Sequence, residues 1–379
     1  MSERGRPDTL LLGATLVLVV FGLVMVHSAS LVFAADHGRD GNYFFERQAL
    51  RAAIGLAALF GAYKLGLERM WRLAPFALAG GLLLLCWLLM PWMRGDDVRG
   101  TFRWLKLFGM TLQPSEIVKL ALLLHLSRLL ARRGERVATF EGLFAPLVLL
   151  LMVAGMVALQ PNLGTAAAIA LTGLGLFFLA GARIHHLVLI SLSLTAMAGV
   201  RLLQVPYERV RLLSFLARNA HPQGAGYQLD QSLIAFGSGG FFGRGIGDGL
   251  QKFRFLPDSH TDFIFAIIGE EGGIVLTALV LGVYVLLVSR AMAVSAALND
   301  RFGALVAGGI GLMLSIHVLL NAAVVLGLMP TTGLPLPFLS YGGSSLVINL
   351  AAVGILLRLS AERAPVPRAR AEQAAPVHA

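Results

Sequence analysis

Blocks of apolar residues long enough to cross a lipid bilayer recur along the whole 379-residue chain. A spanning helix needs about 20 predominantly apolar residues. Here 57% of the residues are hydrophobic and only 14% are charged. In a bilayer every backbone N–H and C=O group must be paired internally, which leaves helices and closed barrels as spanning structures. The length of the blocks therefore predicts an all-α, polytopic integral membrane protein.

Apolar runs and the charges between them predict about ten transmembrane helices. The runs lie near residues 10–33, 50–63, 74–92, 114–131, 143–159, 164–181, 185–203, 263–289, 303–328 and 338–357. The first run is too long for a cleaved signal peptide and has the wrong flanks. We predict a cytoplasmic tail at 1–9, a transmembrane domain at 10–360 and a disordered cytoplasmic tail at 361–379.

Lysine and arginine in short loops predict the orientation, because such loops are retained on the cytoplasmic side. These residues fall on one side when both termini are cytoplasmic, except in the loop at 93–112, which carries four of them. The net charge of +10 is spread over short loops, which favours a topology signal over nucleic-acid binding. The sequence predicts a plasma (inner) membrane protein with a large extracytoplasmic loop at about 204–262, between helices 7 and 8.

Nine glycines lie between Gly224 and Gly249 in this large loop. So many glycines disfavour a regular helix and favour close backbone approach or a re-entrant segment. The apolar patch at 232–242 is suited to dip into the membrane, since a surface loop would expose its phenylalanines. A flexible surface loop is the alternative.

The start of the fourth span places two charges inside the predicted membrane region. Pro114 suits a first helical turn, and Glu116 and Lys119, three residues apart, share one helix face. An intrahelical ion pair would make both charges tolerable in lipid, and direct substrate contact is the other interpretation.

Two outer connections combine prolines with small polar residues. At 160–165, Asn162 or Thr165 can cap the following helix, which favours a structural role. At 335–345 the last span is broken near its outer end, and a broken helix at membrane depth is tolerated where it lines a cavity. We expect the second stretch to form a pocket wall.

Asp262 directly precedes the eighth span and is the strongest candidate for a catalytic residue. One interpretation is an N-cap, since a carboxylate there accepts hydrogen bonds from free N–H groups. The other is a general base at an outer mouth, with His260 and Thr261 beside it. Lys252 and Arg254 lie close in the chain and supply cations for an anionic substrate.

Glu270 and Glu271 lie about 12 Å further along the same helix, at about 1.5 Å per residue. Adjacent helical side chains diverge by about 100°, so we expect one to face a cavity and the other a neighbouring helix. His317 and Asn321, four residues apart in the ninth span, are the expected hydrogen-bond partners.

A series of short motifs runs through the chain in a fixed order. They are Arg103-Trp104, Gln113-Pro114-Ser115-Glu116 with Lys119, Gln160-Pro161 with Leu163-Gly164-Thr165, Gly226-Tyr227-Gln228, Gln231-Ser232, Leu256-Pro257, His260-Thr261-Asp262-Phe263, Glu270-Glu271, and Leu336-Pro337-Phe338 leading into Ser340-Tyr341-Gly342-Gly343-Ser344-Ser345. The chain thereby resembles the SEDS family (shape, elongation, division and sporulation), whose members include FtsW and RodA. The likeness covers everything except the two tails.

The resemblance implies a peptidoglycan glycosyltransferase that polymerises lipid II, a disaccharide-pentapeptide on undecaprenyl diphosphate, with Asp262 as the catalytic aspartate. It implies a class B penicillin-binding protein as partner, beside other membrane proteins of the division or elongation complex. We expect a divalent cation, Mg²⁺ or Mn²⁺, without assigned ligands. The expected substrate contacts are Arg103, Trp104, Gln113, Ser115, Glu116, Lys119, Lys252, Arg254, His260, Thr261 and Ser340.

Two positions depart from the family's pattern, and two other functions stay open. Asn162 stands where the family has Asp, and Asp258 where it has Glu. Gln251-Lys252 resembles the FtsW branch and Gly333-Leu334-Pro335 the RodA branch, with FtsW favoured. The alternatives are a lipid II flippase using Glu116, Lys119 and Glu270, and a non-catalytic scaffold for division proteins.

Overall fold

The computed structural model describes residues 5–90, 103–107, 110–216, 225–253 and 255–362, and a helix lies at each of the ten predicted spans. In chain order the elements are α1 (Thr9–Asp36), α2 (Tyr43–Lys64), α3 (Leu67–Leu89), β1 (Leu105–Leu107), β2 (Met110–Leu112), α4 (Pro114–Arg133), α5 (Phe140–Leu159), α6 (Leu163–Leu179), α7 (Ile184–Gln204), α8 (Pro206–Leu216), α9 (Ala225–Gly239), α10 (Ile264–Ala297), α11 (Arg301–Val325) and α12 (Gly343–Ser360). The predicted all-α class is confirmed, with one short antiparallel pair, β1 and β2, added.

Seven described helices are long and apolar enough to cross a membrane: α1, α3, α5, α7, α10, α11 and α12. Helix α6 is apolar but shorter, with 17 residues. Helices α2 and α4 carry several charges among their apolar residues. The chain is therefore a multi-pass membrane protein, while the count of ten spanning helices stays a prediction.

The two ends of the bundle gather different sets of loops. At one end Arg290 forms an ion pair with Asp8 at 2.6 Å, and the N–H of Gly5 donates to the carbonyl of Ala361. At the other end the N–H of Tyr341 donates to the carbonyl of His260 at 2.9 Å. Both termini therefore lie at one end of the bundle, and the loop that carries His260 lies at the other. The side of the membrane that each end faces stays a prediction.

Helices α11 and α12 form the centre of the bundle, and most of their residues are buried. Helix α12 packs so closely on α2 that a Cβ at Gly354 would lie 2.2 Å from the carbonyl oxygen of Leu59. Only glycine allows this backbone approach. Helix α7, in contrast, has mostly exposed apolar side chains on the periphery.

The predicted large loop contains two helices, α8 and α9, so its glycines do not prevent helix formation. The apolar patch at 232–242 ends in residues that run alongside α10, away from the start of that helix. The N–H groups of Ile274 and Val275 donate to the carbonyls of Gly240 and Phe241, at 2.9 and 3.1 Å. These residues lie about 15 Å from the start of α10 at about 1.5 Å per residue. The segment therefore descends alongside α10 and returns, as the re-entrant interpretation predicts.

The stretch before α12 is non-helical and buried. Leu334, Leu336 and Leu339 are at most 1% exposed, and Phe338 has a φ of +66°. The hydroxyl of Tyr284 in α10 donates to the carbonyl of Pro337. Because α12 begins only at Gly343, the last helix starts five residues later than its predicted span at 338–357.

Candidate functional site

Asp262 lies just before α10 at the bundle end that carries the large loop. Helix α10 begins at Ile264 with Phe263 in the N-cap position, so the N-cap interpretation of Asp262 is wrong by one residue. The backbone carbonyl of Asp262 accepts a hydrogen bond from Asn321 Nδ2 at 2.8 Å. Gly333 has a φ of +72°, and a Cβ there would lie 3.4 Å from Asp262 Oδ2. A side chain at position 333 would be strained by this φ, and its Cβ would contact the partly exposed carboxylate.

His260 is buried among aromatic rings. Its ring centroid lies 4.9 Å from that of Phe33, 5.1 Å from that of Phe44 and 5.6 Å from that of Tyr341. Burial lowers the pKa of His260 to about 4, so the ring is neutral at neutral pH. Its Nδ1 atom has no hydrogen-bond partner among the described residues. Thr261 closes the same turn by donating to the carbonyl of Asp258 at 3.0 Å.

Lys252 is buried in the interior and does not lie at the mouth beside Asp262, where the sequence predicts it. Its ammonium donates to Glu271 at 2.9 Å, to Ser28 at 3.2 Å and to the carbonyl of Gly247. Glu271 lies seven residues into α10, about 10 Å below its start. In this conformation the Lys252 charge is already paired with a carboxylate. Arg254 lies outside the described residues.

The predicted partners of Glu270 and Glu271 are wrong. Both carboxylates bind the returning loop: Glu270 accepts from the N–H of Leu250 at 2.8 Å, and Glu271 accepts from the N–H of Gly247 at 3.0 Å. The loop curls around the first turns of α10 up to a kink at Gly273, where φ is +65°. The two glutamates thus satisfy backbone N–H groups that lack water at membrane depth.

Lys119 is the true partner of His317. The Lys119 ammonium lies 2.9 Å from Glu116 Oε2 and 3.1 Å from His317 Nε2, and all three side chains are buried. His317 Nδ1 lies 2.8 Å from the carbonyl oxygen of Met313, which can only accept, so Nδ1 carries the proton and Nε2 accepts from Lys119. The predicted intrahelical ion pair is confirmed, extended by one histidine.

The predicted substrate contacts Gln113, Ser115 and Ser340 lie near the starts of α4 and α12. The N–H of Gln113 donates to Ser344 Oγ at 3.1 Å, and the N–H of Leu336 donates to Ser340 Oγ at 2.8 Å. Ser115 is 1% exposed, and its hydroxyl has no partner among the described residues. A substrate role for these residues stays a prediction.

Arg103 and Trp104 lead into β1. Arg103 Nε donates to the carbonyl of Gln160 at 3.3 Å, and Trp104 is 40% exposed. The other basic residues of this loop lie outside the described residues or, for Lys106, have no described side chain. Asn162 occupies the N-cap position of α6 without making the predicted side-chain cap.

Sequence reasoning missed a charged cluster contributed by α7 and α8. Glu208 in α8 is 6% exposed, and its carboxylate lies 3.5 Å from Arg201 Nε in α7. Burial raises the pKa of Glu208, while the charges of Arg201, Arg103 and Arg211 act against that rise. Pro206 with Glu208 in a first helical turn is a helix-start signal that could have placed α8 within the loop.

Residues 8–364 match the model of a family described as FtsW/RodA/SpoVE, cell cycle protein. A relative from Trichlorobacter lovleyi is 41% identical over 357 residues, which are 93% of both chains. A second, from Geobacter metallireducens, is 38% identical over 369 residues, 97% of this chain and 98% of the relative. Both are named probable peptidoglycan glycosyltransferase FtsW.

Solved structures show the same fold. One, described as "Structural coordination of polymerization and crosslinking by a peptidoglycan synthase complex", contains a chain with a TM-score of 0.78 and 31% identity, covering 94% of this chain and 98% of that one. The rod shape determining protein RodA of Thermus thermophilus has a TM-score of 0.71 and 30% identity, covering 95% and 98%.

Proposed function

The chain belongs to the FtsW/RodA/SpoVE family, and from that premise we propose that it is a peptidoglycan glycosyltransferase that polymerises lipid II, with Asp262 as its general base. The names of the relatives support the activity. The observation that carries the assignment is the position of Asp262: its backbone carbonyl is anchored by the buried Asn321 of α11, and its partly exposed carboxylate lies beside Gly333.

The reaction follows from the position of this carboxylate. Asp262 takes the proton from the 4-hydroxyl of the acceptor GlcNAc while that oxygen attacks C1 of the donor MurNAc. The new C1–O4 bond forms as the bond from C1 to the diphosphate oxygen breaks, and undecaprenyl diphosphate leaves with that electron pair. Direct displacement predicts inversion at C1.

The expected Mg²⁺ or Mn²⁺ has no ligand set among the described residues, where no group of three His, Cys, Asp or Glu side chains comes together. A cation of this kind is commonly held by one or two carboxylates and substrate phosphates. The leaving diphosphate would be stabilised by such a cation or by cationic side chains.

We also propose a membrane orientation and protein partners for the chain. Both termini face the cytoplasm, and Asp262 faces outward, where lipid II brings its own activating diphosphate. A class B penicillin-binding protein acts with the chain as transpeptidase; the likeness to a chain of a peptidoglycan synthase complex supports this partner. The relatives named FtsW support the division branch and the membrane proteins of that complex as further partners.

Polymerisation of lipid II by the purified chain with its partner tests the function. We expect Asp262→Asn to lower the rate by about 100-fold or more, since general base catalysis contributes about 10²–10⁴-fold. Asp248→Asn is the matched control, because Asp248 is an exposed carboxylate on the same loop. Near wild-type activity of Asp262→Asn would show that the base is elsewhere.

Two outcomes would point to the other functions. Vesicles that move labelled lipid II but make no glycan would indicate a flippase. A strain in which Asp262→Ala supports normal division while the partner still binds would indicate a scaffold.

A further inference from the structure

Three arginines from separate segments surround one buried carboxylate beside the proposed site. Arg201 Nε lies 3.5 Å from Glu208 Oε2, and the charges of Arg103 and Arg211 also act on this carboxylate. Neither Glu208 oxygen has a hydrogen-bond partner among the described residues, although the residue is 6% exposed. A buried carboxylate is normally hydrogen-bonded. Glu208 instead balances the charge of the arginines without a hydrogen bond that fixes its position.

Hydrogen-bond donors without partners lie on the two segments that Arg103 and Arg211 contact, at 160–162 and at Thr331. Gln160 Nε2, Asn162 Nδ2 and Thr331 Oγ1 are buried and find no partner among the described residues. Arg103 joins them through the carbonyl of Gln160, and Arg211 Nη1 through the carbonyl of Thr331, each at 3.3 Å. Buried N–H and O–H groups left without an acceptor are costly, which indicates that an acceptor-rich group binds there.

The corner defined by these arginines and segments adjoins Asp262. Thr331 lies two residues from Gly333, whose Cβ position is 3.4 Å from Asp262 Oδ2. Two residues span at most about 7 Å of chain. A group bound by Arg211 near Thr331 would therefore lie close to a substrate that reacts at Asp262.

We propose that Arg103, Arg201 and Arg211 bind the diphosphate of the lipid-linked substrate, and that Glu208 balances their charge while the diphosphate is absent. The inference rests on the proposed polymerase function. A diphosphate offers only acceptors and several negative charges, which the fork of guanidinium donors matches. Lys252, the cation nearest to Asp262 in sequence with a described side chain, is paired with Glu271 at 2.9 Å.

Steady-state kinetics on lipid II test the proposal. We expect Arg201→Gln and Arg211→Gln each to raise KM by about tenfold or more, because a hydrogen bond to a charged group contributes about 1.5–3 kcal/mol. Arg211→Lys keeps the charge and should recover part of the affinity. The matched control is Arg209→Gln, since Arg209 is exposed on the same helix α8. An equal KM for Arg209→Gln and Arg211→Gln would overturn the proposal.

A binding measurement separates this inference from the polymerase function. Undecaprenyl diphosphate should raise the Tm of Asp262→Asn, and adding Arg201→Gln or Arg211→Gln should abolish the rise. If wild type polymerises lipid II and these variants still bind the diphosphate normally, only the inference fails. If wild type makes no glycan, the polymerase function fails, and the Tm shift still tests the corner. Any Arg→Gln variant that fails to fold is combined with Glu208→Gln, which removes the buried carboxylate left without its cation.

Anionic phospholipid headgroups offer the same phosphate chemistry. The Tm measurement is therefore repeated in phospholipid-free detergent with phosphatidylglycerol as the added probe. We expect little shift with phosphatidylglycerol and a clear one with undecaprenyl diphosphate. Equal shifts that both require Arg201 and Arg211 would assign the corner to membrane lipid and overturn the proposal.

Discussion

The side-chain amide of Asn321 donates to the backbone carbonyl of Asp262 and to that of Leu334, both at 2.8 Å. One α11 side chain thus joins the turn that carries Asp262 to the loop that carries Gly333. Asn321 is 2% exposed, so both hydrogen bonds are shielded from water. The position of the catalytic candidate therefore depends on an interior helix.

Asn321→Asp should lower kcat more than it changes KM. The substitution keeps the shape but replaces both donors with oxygen, which repels the two carbonyls. We expect a loss of about 10-fold or more in kcat and about 1–3 kcal/mol of stability, the usual range for an unsatisfied buried polar group. Asn349→Asp is the control, since Asn349 is equally buried but donates, among the described residues, to Ser345 of its own helix alone. Unchanged kcat would contradict a positioning role.

The buried ion pair between Lys252 and Glu271 predicts a large loss of stability when one partner is removed. Lys252→Met leaves a buried carboxylate without its cation, which typically costs about 3–5 kcal/mol. Adding Glu271→Gln removes that charge and should restore most of the loss. Thermal unfolding of both single variants and the double variant measures the coupling. The more exposed pair of Arg290 and Asp8 is the control, for which we expect a smaller effect.

Close packing of the re-entrant segment predicts opposite effects for two glycines of one helix. A Cβ at Gly239 would lie 2.0 Å from the carbonyl oxygen of Gly269, whereas at Gly237 no heavy atom lies within 4 Å. Gly239→Ala should therefore separate α9 from α10 and lower Tm. Gly237→Ala should be neutral or stabilise by about 0.5–1 kcal/mol, because alanine favours helix. Similar Tm values for both variants would argue against tight α9–α10 packing.

The sequence predicted what depends on local pattern. Apolar length located the helices, and spacing of three residues placed Glu116 and Lys119 together. The sequence could not predict contacts between distant segments, because a helix that is apolar on all sides does not show which of its faces packs on a neighbour. Thus His317 was paired with the wrong carboxylates. The glycines and the apolar patch predict a re-entrant segment, but they do not show that its returning part brings Lys252 to Glu271.

The buried ring of His260 predicts a pH-dependent stability. Its pKa is about 4 in the folded protein, against about 6.5 for an exposed histidine, so the unfolded chain binds more protons between these values. The contribution of the neutral ring to the free energy of unfolding is fully present above about pH 6.5 and is lost as the pH is lowered towards 4. The shift corresponds to about 3 kcal/mol at about 1.4 kcal/mol per pKa unit.

His260→Phe keeps an aromatic ring among Phe33, Phe44 and Tyr341 but cannot bind a proton. Between pH 7 and pH 4 we expect wild type to lose about 3 kcal/mol more than this variant, measured by unfolding in detergent. His185→Phe, which alters an exposed histidine at the opposite end of the bundle, should keep the wild-type profile. Parallel profiles for wild type and His260→Phe would mean that the ring is protonated without penalty, and hence that water reaches it in the folded state.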